Sequence, residues 1–130
     1  MSPVFTEKIK VRFNDCDFYQ HVNNAVYLNY MDNAMIDFFR SLLGNFNRPN
    51  FRMHLVRVEI DYKNPATFDD ELLITTQIAK IGNTSITFAQ TIKMEKTGLL
   101  LVECKKVGVF LDAQGKNKMA VPDILLPFAP

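Results

Sequence analysis

Cysteine is scarce in this chain: Cys16 and Cys104 are the only two. They are too few and too isolated to suggest a disulfide framework or a structural zinc site, and a reducing cytoplasm is the simpler setting for them. Histidine is equally rare. His21 and His54 lie in separate segments without ligand-like spacing to Asp, Glu or Cys, so no metal site is expected. An excess of either charge is lacking too: a formal net charge of +1 gives no broad electrostatic reason for a nucleic-acid or acidic-membrane partner. Every apolar run falls well short of a membrane span. The start, MSPVFTEKIKV, alternates polar and apolar residues where a signal peptide would place a cationic stretch and a long apolar run. There is no Gly-rich phosphate loop, no Pro-, Gly- or Ser-rich linker, and no repeat at a period of about twenty to fifty residues.

What is present is the composition of a globular protein, 48% hydrophobic and 22% charged over 130 residues, enough for one substantial core and too short for two. We therefore read residues 1–130 as a single domain.

Lys8 to Phe13 alternate polar and apolar, which predicts a half-buried strand ending at Asn14. Asp15 to Gln20 carry no regular period and read as a loop. From about Asn23, Leu28, Met31, Met35, Phe38 and Leu42 recur at spacings of three and four, the apolar stripe of a helix. Asn23 or Asn24 caps its start, Gly44 ends it, and Arg40 suits the negative end of its dipole. Tyr27, Tyr30, Ala34 and Phe39 widen the apolar surface, so other structure should wrap the helix.

A polar loop through Pro49 leads to four strand-like runs, about Leu55 to Lys63, Glu71 to Ile81, Ser85 to Glu95 and Leu99 to Leu111. They are broken at Asp69-Asp70, Gly82-Asn83 and Thr97-Gly98, each with the short spacing expected of antiparallel neighbours. Ile86, Phe88, Ile92 and Met94 share a face, with Gln90 the one polar interruption, and that face should meet the helix. Met119 to Pro130, with three prolines, reads as an extended wrap or a short terminal turn. The expected architecture is α+β, one long helix laid across an antiparallel sheet of about five strands. Leu99 to Val102 is apolar on both alternating faces, from which we expect a homo-oligomer, a dimer or tetramer.

The chemistry is concentrated in Val11 to Tyr30, VRFNDCDFYQHVNNAVYLNY, where two carboxylates, a histidine and two asparagines open directly onto a helix N-terminus. Backbone N–H groups there lack intrahelical partners and carry the positive end of the dipole, so they can hold a developing oxyanion. A nearby carboxylate supplies a nucleophile or base, a combination suited to acyl transfer.

This segment resembles the signature of the hotdog-fold acyl-CoA thioesterases, including the 4-hydroxybenzoyl-CoA thioesterase family, at Phe13, Asp15, Asp17, His21, Val22, Asn23, Asn24 and Tyr27. A second stretch resembles the family at Val58-Glu59-Ile60-Asp61-Tyr62, Pro65, Asp69-Asp70-Glu71-Leu72 and Ile81 to Ser85. The resemblance implies a hotdog fold, a curled antiparallel sheet around one central helix. It implies a cytoplasmic hydrolase acting on acyl-CoA with no cofactor beyond the coenzyme A of its substrate.

On that resemblance Asp17 takes the catalytic carboxylate position, either attacking the thioester carbonyl or deprotonating water, and amides around Val22 to Asn24 polarise the carbonyl oxygen. The family often has Gly where this chain has Gln20. Read residue by residue, Asp17 is weighted toward catalysis over capping, and Asp15 toward a structural role. His21 divides evenly between chemistry and bracing the loop. Asn23 and Asn24 are caps that also fix the oxyanion donors. Cys16, flanked by two carboxylates, reads as inert. Phe13, Phe18, Tyr19 and Tyr27 are candidates to line an acyl tunnel, and Lys63, Lys80, Lys105 and Lys106 to meet the coenzyme A phosphates. Two other readings keep the fold: a thioesterase acting on acyl carrier protein, and a non-catalytic acyl-CoA-binding module.

Overall fold

The computed structural model describes residues 3–44 and 50–130, so most of the expected polar loop through Pro49 lies outside the described residues. The order of elements is β1 (Phe5–Lys10), a 3-10 turn (Phe13–Asp15), α1 (Asn24–Leu43), β2 (Phe51–Tyr62), β3 (Glu71–Ile81), β4 (Ser85–Met94), β5 (Leu100–Asp112) and a terminal 3-10 helix (Asp123–Phe128). The five strands form one antiparallel sheet in the order β1-β3-β4-β5-β2. Bulges at Leu55/Arg57, Ile78/Lys80 and Ile92/Lys93 bend it. No helix among the described residues is long and apolar enough to cross a membrane.

The helix forms where its stripe lies. Asn23 sits in extended backbone and its Oδ1 accepts from the Ala25 N–H at 2.8 Å, while Gly44 ends the helix at φ 81°. Tyr27, Tyr30, Met31, Ala34, Met35 and Phe38 are buried against the sheet. Ile86, Phe88 and Ile92 of β4 meet them, and Gln90 is accommodated in that face because its Nε2 donates to the Met31 carbonyl at 2.8 Å and to Thr76 Oγ1 at 2.9 Å. The terminal 3-10 helix closes one end of the core through Leu125.

Four expectations need correction. The first strand is Phe5–Lys10, not Lys8 to Phe13. Beyond Lys10 the chain leaves the ladder because the Asp15 carboxylate accepts from the Arg12 N–H, turning it into the 3-10 helix and leaving Phe13 exposed, ring edge to face with Phe68. The break at Asp69-Asp70 does not join neighbours, since β2 and β3 lie on opposite sides of the β4–β5 pair. And Leu99 to Val102 does not need another subunit to bury its core residues: the bulge opposite Ile92/Lys93 leaves Leu101 outside the pairing, so Leu101 and Val102 both enter the chain's own core. Strand β2 also starts earlier than expected, at Phe51, because Phe51 and Met53 pack into the core despite their polar neighbours.

On the helix-facing side of β1, the Glu7 carboxyl meets Asp37 of α1 and keeps a buried oxygen without a partner. Burial pushes the Glu7 carboxyl above its ordinary range, and the charge and hydrogen bond of Asp37 push it the same way. A carboxyl raised in the folded state supports the fold at acid pH, and that support is lost as pH rises through the folded value. Glu7→Gln is therefore expected to raise stability at neutral pH by up to about 1 kcal/mol, with the gain vanishing near pH ~4. Urea unfolding at several pH values checks the sign.

Candidate active site

The residues between β2 and β3, 63–70, cross the end of the sheet and strap the entrance of α1. The Ala66 carbonyl accepts from the Val22 N–H at 2.9 Å, the Ala66 N–H donates to Tyr27 Oη at 3.0 Å, and His21 pairs with Thr67 in an isolated bridge. Beside this strap lies a cleft of about 480 Å³ lined by Asp17, Tyr19, His21, Val22, Asn24, Tyr27, Tyr62, Lys63, Asn64 and Pro65.

Asp17 stands in a tight hairpin closed by the Cys16–Val22 bridge. Its N–H donates to the His21 carbonyl, its carbonyl accepts from the Gln20 N–H, and its Oδ1 accepts from the Tyr19 N–H at 2.9 Å. One carboxylate oxygen is thus held by the backbone, and Asp17 lines the cleft. Gln20 closes this hairpin at φ 64°, the left-handed conformation that glycine adopts most readily, which gives a physical reason for the glycine often found there in the resembled family.

Two residues before it, Asp15 is buried and anchors the loop. Its Oδ2 accepts from Tyr30 Oη at 2.6 Å and from the Arg12 N–H at 3.0 Å, and its carbonyl accepts from the Asn23 N–H at 3.0 Å. Burial alone would raise the Asp15 carboxyl, but hydrogen bonds from Tyr30 and Arg12 outweigh it and hold the group below the ordinary carboxylate range. The same contact works in the opposite sense on Tyr30, whose hydroxyl is pushed well up by burial and by Asp15. Cys16, half-buried between the carboxylates, has its thiol raised by burial and then by Asp15, Asp17 and Asp70, which leaves it a poor nucleophile.

The amides at the helix entrance are almost all committed. Val22 donates to Ala66, Asn23 to Asp15, Ala25 to its cap Asn23, and Val26 and Tyr27 to the Asn23 carbonyl. Among the described residues, no partner takes the Asn24 N–H. It is the first amide of α1 and belongs to a residue of the cleft wall. Of the amides expected around Val22 to Asn24 to act as oxyanion donors, those of Val22 and Asn23 are thus already bonded, with the Asn23 side chain serving as the cap. Tyr62 Oη donates to the Asn24 carbonyl at 3.0 Å and its ring stands 5.8 Å from that of Tyr27, fixing the first turn from the β2 side.

The lysines fare differently. Lys63 is on the cleft rim, 3.9 Å from Glu103. Lys80 is near the far end of β3, about 30 Å along the strand from the cleft, and does not belong to this site. Lys105 points away from the helix beside Glu59, and Lys106 is buried in an ion pair with Asp32, so neither reaches the cleft wall. Phe18 is almost fully exposed, edge to face with Tyr19, and does not line the cleft. Tyr19 does, as one of the aromatic candidates. Tyr62, Asn64 and Pro65 were not singled out as site residues, because nothing local in the sequence shows that the end of β2 returns to the helix entrance.

Residues 11–128 match the model of the thioesterase-like superfamily. The long-chain acyl-CoA thioesterase FadM of Escherichia coli is 30% identical over 116 residues, covering 88% of each chain. Among solved structures, the probable thioesterase YbaW from Escherichia coli shares 30% identity at a TM-score of 0.77 over 88% of both chains. Slr0204, a 1,4-dihydroxy-2-naphthoyl-CoA thioesterase from Synechocystis, shares 21% identity and the fold, at a TM-score of 0.82 over 94% of this chain and 92% of its own.

The hairpin at Gln20 yields a direct expectation. Gln20→Gly should be as stable as the wild type or up to about 1 kcal/mol more so, whereas Gln20→Val, β-branched in the left-handed region, should lose more than about 1 kcal/mol. Chemical unfolding of the two variants reads the difference.

Proposed function

The chain belongs to the thioesterase-like superfamily, and from that premise we propose that it hydrolyses acyl-CoA thioesters to the free acid and coenzyme A. The observation that carries this reading is the Asn24 N–H, left without a partner among the described residues at the mouth of α1, in a cleft that Asp17 also lines. A thioester carbonyl oxygen placed on that amide meets the positive end of the helix dipole, and its carbon then lies open to attack from the cleft.

Asp17 supplies the attack in one of two balanced ways. Its free oxygen bonds to the carbonyl carbon, the C–S bond breaks, the thiolate leaves and takes a proton from water, and a second water cleaves the mixed anhydride. Alternatively the carboxylate takes a proton from a water that adds to the carbon, and that proton passes to the leaving sulfur. His21, on the cleft wall, orients water or braces the hairpin; Val22 and Tyr27 form its apolar side. Lys63 is the cation placed to meet a phosphate of the coenzyme. An acyl group on acyl carrier protein would present the same thioester; the choice of coenzyme A rests on FadM, named for long-chain acyl-CoA. The free thiols Cys16 and Cys104 suit a cytoplasmic setting.

A second copy belongs to the same proposal, as a homodimer or a dimer of dimers. Strand β2 is an edge of the sheet, 12 residues long, with Leu55, Val56 and Val58 exposed. An open, long, apolar edge of this kind is ordinarily paired or covered.

Asp17→Asn keeps the side-chain oxygen that caps the Tyr19 amide but removes the carboxylate. It should lower kcat for thiol release by about a thousandfold with little change in KM. Thiol release followed across short, long and aromatic acyl-CoAs gives the answer, and equal rates in variant and wild type would remove Asp17 from the chemistry. Binding of acyl-CoA without hydrolysis by either protein would favour the non-catalytic module.

A further inference from the structure

The strap across the helix entrance is held where β2 and β5 part, just past the Tyr62–Val102 pair. There the Leu101 carbonyl accepts from the Lys63 N–H at 2.7 Å and from the Asn64 N–H at 3.2 Å. The Asn64 side chain adds a bond at the same place, its Nδ2 donating to the Leu100 carbonyl at 2.8 Å. Pro65 follows and steers the Asn64 backbone away from the helical region.

These bonds decide which end of the Asn64 amide is spent. A carbonyl only accepts, so the end that meets Leu100 is the NH2 group and the opposite end, Oδ1, is the acceptor. Among the described residues no donor meets Asn64 Oδ1, and it is not sealed from solvent as the unpartnered Gln90 Oε1 is. Asn64 is half-buried and lines the cleft together with Asp17 and Asn24. It therefore brings to the cleft a neutral acceptor that is anchored from behind, reachable by water and unused by the fold.

The neighbouring polar groups are placed differently. Tyr27 Oη receives the Ala66 N–H, Tyr62 Oη gives its hydrogen to the Asn24 carbonyl, and one Asp17 oxygen holds the Tyr19 amide. The Asn24 side chain makes none of the recorded hydrogen bonds, so nothing fixes its direction.

Hydrolysis needs something that a carboxylate and one amide do not supply, a direction for the water. A water held only through one hydrogen on a carboxylate still turns about that bond, and its lone pair sweeps past the acyl carbon. A second acceptor fixes both hydrogens and the lone pair with them. The cleft, about 480 Å³, has room for a thioester and for a water, whose share of liquid volume is about 30 Å³.

We propose that Asn64 Oδ1 is this second acceptor, a further catalytic residue that aims the attacking water. This rests on the thioesterase reading and adds a residue to it. In the general-base route the water gives one hydrogen to Asp17 and points the other at Asn64 Oδ1. Its oxygen bonds to the acyl carbon, the C–S bond breaks, and the proton held by Asp17 passes to the sulfur. In the mixed-anhydride route the same contact aims the second water at the acyl carbon, Asp17 leaves as a carboxylate, and the proton goes to solvent. Asn64 itself is neutral throughout and gives up no proton, so it sets the rate of attack and leaves the pH dependence to other groups.

Loss of hydrolysis alone does not separate aiming a water from holding the strap, so the test supplies a second nucleophile. Wild type and Asn64→Ala are given octanoyl-, palmitoyl- or benzoyl-CoA in buffered hydroxylamine, and acid and hydroxamate are both measured above the enzyme-free rates. The hydroxylamine nitrogen bonds to the acyl carbon, the thiolate or Asp17 leaves, and the nitrogen's proton goes to the leaving group or to solvent. Hydroxylamine in excess does not depend on the position of one water. Asn64→Ala should lower kcat for acid by about ten- to a hundredfold with KM within about threefold, and raise the hydroxamate-to-acid ratio by about tenfold. The ratio comes from folded molecules alone, so partial loss of folding does not move it. Asn64→Ser keeps a hydroxyl that can donate to the Leu100 carbonyl but puts no acceptor at the Oδ1 position, and it is read the same way if the alanine protein does not fold. Three results overturn the proposal: an unchanged rate of acid formation, acid and hydroxamate falling together, or a raised KM at unchanged kcat. A wild type that cleaves none of the three substrates overturns the thioesterase reading itself.

Discussion

A helix can be wrapped by other structure only if the amides of its first turn are answered, and the way α1 meets this requirement organises the whole end of the molecule. The Asn23 side chain and carbonyl take the amides of residues 25–27, the Asp15 carbonyl takes that of Asn23, and the Ala66 carbonyl takes that of Val22. Each acceptor comes from a different piece of chain: the cap itself, the loop before it and the crossover after β2. Among the described residues one amide of this turn, that of Asn24, is left over on the cleft wall. The demand for backbone satisfaction thus assembles the site, and under the proposed function the amide left over is the one that receives the reacting carbonyl.

The loop that supplies these acceptors is held by a buried carboxylate. Asp15 brings Arg12, Tyr30 and the Asn23 amide to one point, so β1, the hairpin and the helix share an anchor beneath Asp17. The two carboxylates, two positions apart, divide the work by environment. Asp15 is enclosed and fully bonded; Asp17 is exposed with one oxygen free of the hairpin. Rigidity beneath and access above is what a positioned carboxylate needs. The sheet adds the second half of the design: because the crossover takes the chain from β2 past the helix entrance to β3 before β4 and β5 are laid down, β2 ends as an edge of the sheet.

Much of this is legible in the sequence. The spacing of Leu28, Met31, Met35, Phe38 and Leu42 located α1, and Asn23 and Gly44 its ends, because caps and stripe are local properties of the chain. Gln90 on an otherwise apolar strand face was rightly assigned to the helix side, since period-two alternation survives one polar residue. What could not be read was non-local. Asp69-Asp70 has the residues of a tight turn, yet it ends a crossover whose destination is set by sheet order. Tyr62 and Pro65 look like the end of any strand until that crossover brings them to Asn24. Lys80 and Lys106 are alike in sequence to any strand lysine, and only register shows one at the far end of β3 and the other sealed beneath the helix. At Leu101 a bulge replaced the alternation that suggested a covered outer face.

Under the proposed function one backbone amide, Asn24 N–H, polarises the reacting carbonyl. Asn24 is the first residue of the helix, a position proline favours, and Asn23 already has the extended backbone (φ −61°, ψ 139°) that a following proline requires. Asn24→Pro therefore deletes the amide hydrogen while keeping the helix start and the carbonyl that receives Tyr62. With folding verified by its unfolding midpoint, the variant should lose about a hundred- to a thousandfold in kcat for acyl-CoA hydrolysis. A folded Asn24→Pro protein that turns over at the wild-type rate would contradict the account.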